Sequence, residues 1–177
     1  KLDEHLNIID HEISRSDEVI ERLLEMTKGK NLKKTLTDVE TLAKEAMSYA
    51  DISKSSRLII NFSPKPFLLS LDKLLFRQVL FNLFLNSIQA MPQGGKIEMN
   101  ITQRSINGFN IVIADEGKGI ADNRLEKVFD PLYTDKVEGV GLGLSLCRDL
   151  ITRHGGTIVA KSKNTKGTIF EIDLPPV

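Results

Sequence analysis

The sequence predicts an α/β fold, and three observations carry that reading. From about residue 32 onward, short apolar runs of strand length alternate with stretches of helix length. One stretch, Leu71 to Met91, has a strong helical period, and two glycine-rich turns adjoin such elements. Within Leu71–Met91, Phe76, Leu80, Phe84 and Ile88, with Val79 and Leu83 alongside, make an apolar face. Gln78, Asn82 and Asn86 stand at four-residue spacing as a stripe of amides beside it. An unpaired buried amide costs about 1–3 kcal/mol, so this stripe is either paired within the fold or kept for a polar ligand.

Composition narrows the choices. The 177 residues suffice for one domain with a sizeable core and an appended helix. The 24 basic and 24 acidic residues cancel, which gives no global attraction to nucleic acid or to an anionic membrane surface. Cys147 is the single cysteine, which excludes an internal disulfide and fits a reducing, cytoplasmic compartment. No apolar run reaches the roughly 20 residues that span a bilayer. The chain begins at Lys1 with no leader pattern, so its natural start is expected upstream, where sensor or membrane-anchoring segments would lie.

Leu2, Leu6, Ile9, Ile13, Ile20 and Leu23 recur at steps that predict a heptad helix over residues 1–26, seeking a partner, with Ser16 the polar exception in its seam. Lys28-Gly29-Lys30-Asn31 ends it, which divides the chain into a helical arm with linker, 1–31, and a compact domain, 32–177. A strand over 32–36 leads into Thr37-Asp38-Val39-Glu40, a capping box that opens a helix reaching Tyr49. The runs 57–62 and 67–70 read as two strands joined by a turn around Pro64 and Pro66, with Ser70 placed to cap the striped helix. Gly94-Gly95 ends that helix, and 96–104 with 109–115 form a hairpin that delivers Asp115 to a strand end. In Asp115-Glu-Gly-Lys-Gly-Ile120 two glycines permit close approach by something flat or anionic. A short helix over 123–128 and the segment 129–136 follow. Gly139-Val-Gly-Leu-Gly-Leu144 then opens a helix whose unpaired N–H groups suit phosphate oxygens. That helix reaches His154, Gly155-Gly156 end it, and 157–161 and 167–174 are closing strands.

Four of these stretches, in this order, resemble the ATP-binding domain of two-component sensor histidine kinases, a branch of the GHKL ATPases. Asn82-Leu-Phe-Leu-Asn86-Ser-Ile-Gln-Ala is similar to the N box, Asp115–Ile120 to the G1 box, Phe129–Lys136 to the F box and Gly139–Leu144 to the G2 box. The resemblance covers 32–177, and no P-loop motif is present. It implies a two-layer α/β sandwich, a mixed sheet covered by helices on one face, preceded by a helix of a four-helix dimerisation bundle. It implies a protein histidine kinase that uses ATP and Mg²⁺, passes the γ-phosphoryl group to a histidine and relays it to a response-regulator receiver domain. It further implies a homodimer through the N-terminal helical hairpin, without nucleic acid or membrane contact by this segment.

By the same resemblance, Asn86 ligates Mg²⁺ through its amide oxygen, and Asn82 faces the phosphates one turn earlier. Asp115 accepts from the adenine amino group, with Gly117, Gly119 and Ile120 against base and sugar. Thr134 and Lys136 belong to the lid, where Lys136 reaches the terminal phosphate and shares the catalytic role with Asn82. Gly141, Leu142, Gly143 and Leu144 bring backbone amides to the phosphates. The short lid, with Gly139 about nine residues beyond Phe129, is similar to that of the nitrogen-regulation type. Glu116, Ser87, Leu132, Asp135 and Val140 depart from the family's usual Asn, Ala, Phe, Thr, and Thr or Ser, and Glu116 and Asp135 add negative charge where phosphates are expected.

His11-Glu12 looks superficially like the phosphoacceptor box. No proline follows it, however, and no second hairpin helix fits before the first strand of the domain, so the acceptor is expected on a helix outside this chain. His5 is expected at the surface, His154 as a structural partner of its helix dipole, and Cys147 as buried and inert. Two rivals stand beside the kinase: a non-catalytic nucleotide-binding regulatory module, and another GHKL ATPase of the mismatch-repair or topoisomerase type, against which the heptad arm and short lid count.

Overall fold

The structure, a computed structural model, describes residues 31–50, 56–63, 68–104, 108–136, 139–162 and 166–176. The heptad helix expected over residues 1–26, with His5 and His11, falls outside these residues. Strand β1 (Lys34–Asp38) passes directly into helix α1 (Val39–Tyr49). The cap falls one residue later than the expected box, on Asp38 rather than Thr37. The Asp38 carboxylate accepts from the Glu40 N–H at 3.0 Å and from the Thr41 hydroxyl at 2.7 Å, while Thr37 is the buried residue of β1.

Strands β2 (Ser56–Ser63) and β3 (Leu68–Asp72) form as expected but do not pair with each other. β3 lies antiparallel to β1 in a two-stranded ribbon, whereas β2 runs parallel to β4 (Gly95–Gln103) at the edge of a five-stranded sheet. Local alternation predicts a strand without naming its partner, which is why the two ribbons were not separable in the sequence. Ser70 lies inside β3, and Asp72 caps α2 (Lys73–Ala90) by accepting from the Leu75 N–H at 3.2 Å.

The main sheet has the order β2-β4-β5-β7-β6, with β5 (Phe109–Asp115), β6 (Thr157–Ser162) and β7 (Thr168–Leu174). Only β2–β4 is parallel, so the sheet is mixed. Ile97, Met99 and Ile101 of β4, Ile111 and Ile113 of β5, and Phe170, Ile172 and Leu174 of β7 are buried on one face. That face carries α2 and α3 (Gly143–Arg153), and α1 packs on α2. The alternate residues make a polar face, where the Asn61 amide bonds Glu98 and Asn100 and the Asn110 amide bonds Glu171 and Asp173. The chain is therefore the two-layer sandwich, helices on one face, that its motifs implied.

On α2, Phe76, Val79, Leu80, Leu83 and Phe84 are fully buried, and Ile88 is half-buried. In place of one short helix after β5 stand two 3₁₀ turns, Asp122–Arg124 and Lys127–Phe129. His154 closes α3 as a C-cap, though not as a cation on the helix dipole. Its ring is buried, Nδ1–H donates to the Leu150 carbonyl at 2.7 Å, and Nε2 accepts the Asp72 N–H at 3.1 Å. Burial lowers its pKa, so a neutral imidazole ties the end of α3 to the start of α2.

Candidate functional site

The amide stripe of α2, the end of β5, the turn after it and the opening of α3 enclose a cleft of about 340 Å³. Asn82, Asn86, Asp115, Gly119, Ile120, Thr134, Lys136, Gly141, Gly143 and Leu144 all border it. Gly117 and Leu142 stand behind it. Gly117 serves the site through its N–H, and a side chain there would meet the Ala90 carbonyl at 2.9 Å and its methyl at 2.6 Å. Leu142 is a core residue, 1% exposed, whose carbonyl accepts from the Leu146 N–H and the Ser145 hydroxyl.

Asp115 ends β5 because the register of β4 and β5 sets it opposite Ile97, on the buried face. Its Oδ1 accepts the N–H groups of Gly117 at 2.9 Å and Thr168 at 3.0 Å, and its Oδ2 accepts the Ser87 hydroxyl at 3.0 Å. Burial pushes its pKa up, against the pull of these bonds. The result is a desolvated, oriented acceptor at the cleft wall.

The stripe divides its labour. Asn82 is nearly buried and its Nδ2 donates to the Gln78 carbonyl at 3.1 Å, which leaves Oδ1 to face Gly143, 3.2 Å from where a Cβ would stand. Asn86 is half-buried, and its Oδ1 accepts the Lys136 ammonium at 2.7 Å. Lys136 also donates to Gln89 Oε1 at 2.6 Å, and burial lowers its pKa. The amides thus point oxygens, rather than hydrocarbon, at the cleft.

The lid folds on itself through backbone contacts. The Leu132 N–H donates to the Gly141 carbonyl at 3.0 Å, with Leu132 at φ 65° and Gly141 at φ 74°. The Leu142 N-cap supplies no side-chain hydrogen bond, so the first turn of α3 keeps N–H groups for a ligand beside Gly143 and Leu144. Neither added acid loads the cleft with uncompensated charge. Glu116 does not border it and accepts the Lys96 N–H at 3.0 Å. Asp135 does border it but lies 3.2 Å from Arg124 Nη1 and 3.5 Å from Lys118 Nζ. Burial raises the Asp135 pKa, and these two cations outweigh it and bring it down.

Several lining residues escape sequence reasoning. Gln89 was legible, since it continues the stripe three residues past Asn86, and Lys118 lies inside the G1 stretch. Arg124, Tyr133, Thr168 and Phe170 were not, because only the folded lid and β7 bring them here. No group of three or more His, Cys, Asp or Glu side chains that could hold a metal occurs among the described residues. Asn86 offers one hard amide oxygen, which suits Mg²⁺ because that ion keeps several waters and takes phosphate oxygens.

The family described as histidine kinase-, DNA gyrase B- and HSP90-like ATPase matches residues 71–177. The sensor histidine kinase ZraS of Escherichia coli (strain K12) is 36% identical over 167 residues, covering 93% of this chain and 36% of that protein. The signal transduction histidine-protein kinase AtoS of the same organism is 32% identical over 179 residues, covering 97% and 29%. The chain therefore spans about a third of the length of these relatives. The nucleotide-free catalytic domain of the histidine kinase ThkA superposes with a TM-score of 0.68 at 26% identity, over 81% of this chain and 96% of that one. Full-length ShkA in complex with AMPPNP shares the fold, with a TM-score of 0.79 at 21% identity over 94% of this chain and 36% of that one.

Proposed function

Because the chain belongs to the histidine kinase-, DNA gyrase B- and HSP90-like ATPases, we propose that the cleft binds Mg²⁺·ATP for phosphoryl transfer to a histidine. The chain is then the ATP-binding catalytic region of a sensor histidine kinase. One observation carries this reading: a single cleft holds a buried, oriented carboxylate, a row of amide oxygens and an uncapped helix start. These match a base amino group, a hydrated cation and phosphates respectively. The sensor kinase names of the relatives support the transferase half of the reading.

Asp115 accepts the adenine amino group and disfavours guanine, which presents a carbonyl there. Gly119 and Ile120 lie against base and sugar, and Gly117 holds the carboxylate. The N–H groups around Gly141, Gly143 and Leu144 meet the phosphates, with Asn82 one turn from Asn86 on the same side. Asn86 would be the protein ligand of Mg²⁺, which when bound would supply positive charge against the phosphates. Lys136 sits on that same oxygen, so it would have to give up Asn86 for the oxygen to hold an ion, and the terminal phosphate would be its new anionic partner. In the transfer the bond between the γ-phosphorus and the β–γ bridging oxygen breaks. A bond from phosphorus to an imidazole nitrogen forms, ADP leaves with the bridging oxygen, and the imidazole N–H proton passes to solvent. The acceptor histidine, the dimerisation hairpin, the receiver-domain partner and the cytoplasmic setting complete the proposal.

The test is calorimetry of the chain with Mg²⁺·ATP, then incubation with γ-labelled ATP, with and without a fragment carrying the dimerisation helices. We expect binding, no label on the chain alone and acid-labile label on the added fragment. Label on the chain alone that disappears in His11→Gln makes His11 the acceptor. Binding without label anywhere leaves the non-catalytic module, and no binding overturns the proposal.

A further inference from the structure

We propose that Ser87 is a positioning residue for base recognition: its hydroxyl fixes the second oxygen of the Asp115 carboxylate and so orients that carboxylate toward an amino group in the cleft. This rests on the reading of Asp115 given above. An ionised carboxylate has about four lone-pair sites. The Gly117 and Thr168 N–H groups fill both sites on Oδ1, and Ser87 Oγ–H fills one on Oδ2. The Thr168 side chain also interacts with the carboxylate and favours its ionised form, so Ser87 acts beside it and is the group that holds Oδ2 in place. Two bonds on one oxygen let the carboxylate plane tilt, and a third bond on the other oxygen removes that freedom.

Ser87 is built for this task. It is 1% exposed, so water does not compete for its hydroxyl, and its partner is 8% exposed. It sits on α2 immediately after Asn86, on the rigid helix that carries the amide stripe, and it reaches across to β5. Because a carboxylate has no proton to give, the hydroxyl donates, and that donation also favours the ionised form that burial opposes. The charged groups bordering the same cleft are tied to other partners: Lys118 and Arg124 to Asp135, and Lys136 to Asn86 and Gln89. Glu116, next to Asp115 in the chain, bonds the Lys96 N–H.

Ser87→Ala removes the donor and almost no volume. We expect ADP to bind about fivefold more weakly at neutral pH, with GDP changed less, so the ADP-to-GDP affinity ratio falls. The acid limb of ADP binding, followed from about pH 8 to about pH 5, should move up by about half a unit or more, because Asp115 loses a bond that favours its ionised form. A merely structural serine would lower the melting temperature and leave the ratio and the acid limb in place, and that result overturns the proposal. Should Ser87→Ala fail to fold, Ser87→Cys, a weaker donor of similar shape, is read the same way and should give smaller shifts in the same direction. Asp115→Asn, measured in parallel, separates the two levels. If it leaves ADP affinity unchanged, the base-recognition reading of Asp115 fails. If it weakens ADP while Ser87→Ala moves neither ratio nor acid limb, only the role of Ser87 fails.

Discussion

The Lys136 ammonium rests 2.7 Å from the Asn86 amide oxygen, with Gln89 Oε1 as a second acceptor at 2.6 Å. A side chain of the lid thus holds, with its own charge, the oxygen that would meet a metal ion. Because Asn86 is half-buried and spends its oxygen on the lid rather than on the core, Asn86→Ala should fold normally. We expect it to lose at least about tenfold in Mg²⁺-dependent ATP affinity, and the difference from the parent should shrink when Mg²⁺ is chelated. Circular dichroism and calorimetry with and without chelator check this. An unchanged Mg²⁺ dependence in a folded variant would remove Asn86 from the metal site.

Lys136→Met tests the other partner. The methionine keeps much of the stem's volume and removes the donor. If Lys136 exchanges Asn86 and Gln89 for the terminal phosphate, ATP should weaken about five- to tenfold while ADP changes by less than about twofold. Equal losses for the two nucleotides would place the ammonium elsewhere. Parallel titrations with ADP and ATP give the answer.

What could be read from the sequence was what repeats locally. The α2 stripe, the carboxylate at the end of β5 and the glycine opening of α3 were legible because each lies within one turn or one element. Partner choice was not. β2 and β3 belong to separate sheets, and nothing in their own alternation says so. The caps erred for a related reason: Thr37 and Asp38 both suit an N-cap, as do Ser70 and Asp72, and the aspartate won both times because the residue before it was still in a strand. The cluster of Lys118, Arg124 and Asp135 needed the folded lid, since Asp135 alone reads as a liability near phosphate. His154 shows burial overruling a dipole argument, because the ring that a helix end would charge is kept neutral by the core.

His154 gives the fold a pH dependence with a definite sign. Burial is the largest cause of its lowered pKa, and the nearby Lys34 and Arg153 add to it, against the Leu150 carbonyl and Asp72. The stabilisation is complete above the unfolded value, about 6.5, and is lost as the pH falls through the lower folded value, where the ring must give up the Asp72 N–H to take a proton. The melting temperature should be level around neutrality and fall on acidification. His154→Phe should cost about 1–3 kcal/mol at neutral pH, because it strands the Asp72 N–H, and should flatten the acid slope. Thermal melts of both proteins across that range check it, and an unchanged slope would assign the acid loss to other groups.

The two lid glycines make the sharpest contrast. A Cβ on Gly141 would stand 2.6 Å from the Leu132 carbonyl carbon and 2.8 Å from the Tyr133 nitrogen, on a backbone at φ +74°. Backbone atoms cannot swing aside as a side-chain end does, and the L-configuration adds about 1 kcal/mol or more of its own at that φ. Gly141→Ala must therefore push the 132–133 segment away, break the Leu132 N–H to Gly141 carbonyl bond and displace Thr134, Asp135 and Lys136, which border the cleft. A Cβ on Gly143 meets only Asn82 Oδ1 at 3.2 Å and its Cγ at 3.7 Å, inside an ordinary helix turn. We expect Gly141→Ala to lose more than about tenfold in ADP affinity and to lower the melting temperature. Gly143→Ala should stay within about threefold, with an unchanged or slightly higher melting temperature, since alanine favours the helix. ADP titration and thermal melts of the two variants distinguish the cases. If both lose affinity equally, the glycines serve the nucleotide by leaving their N–H groups uncovered, and the backbone packing of the lid is not what holds the site open.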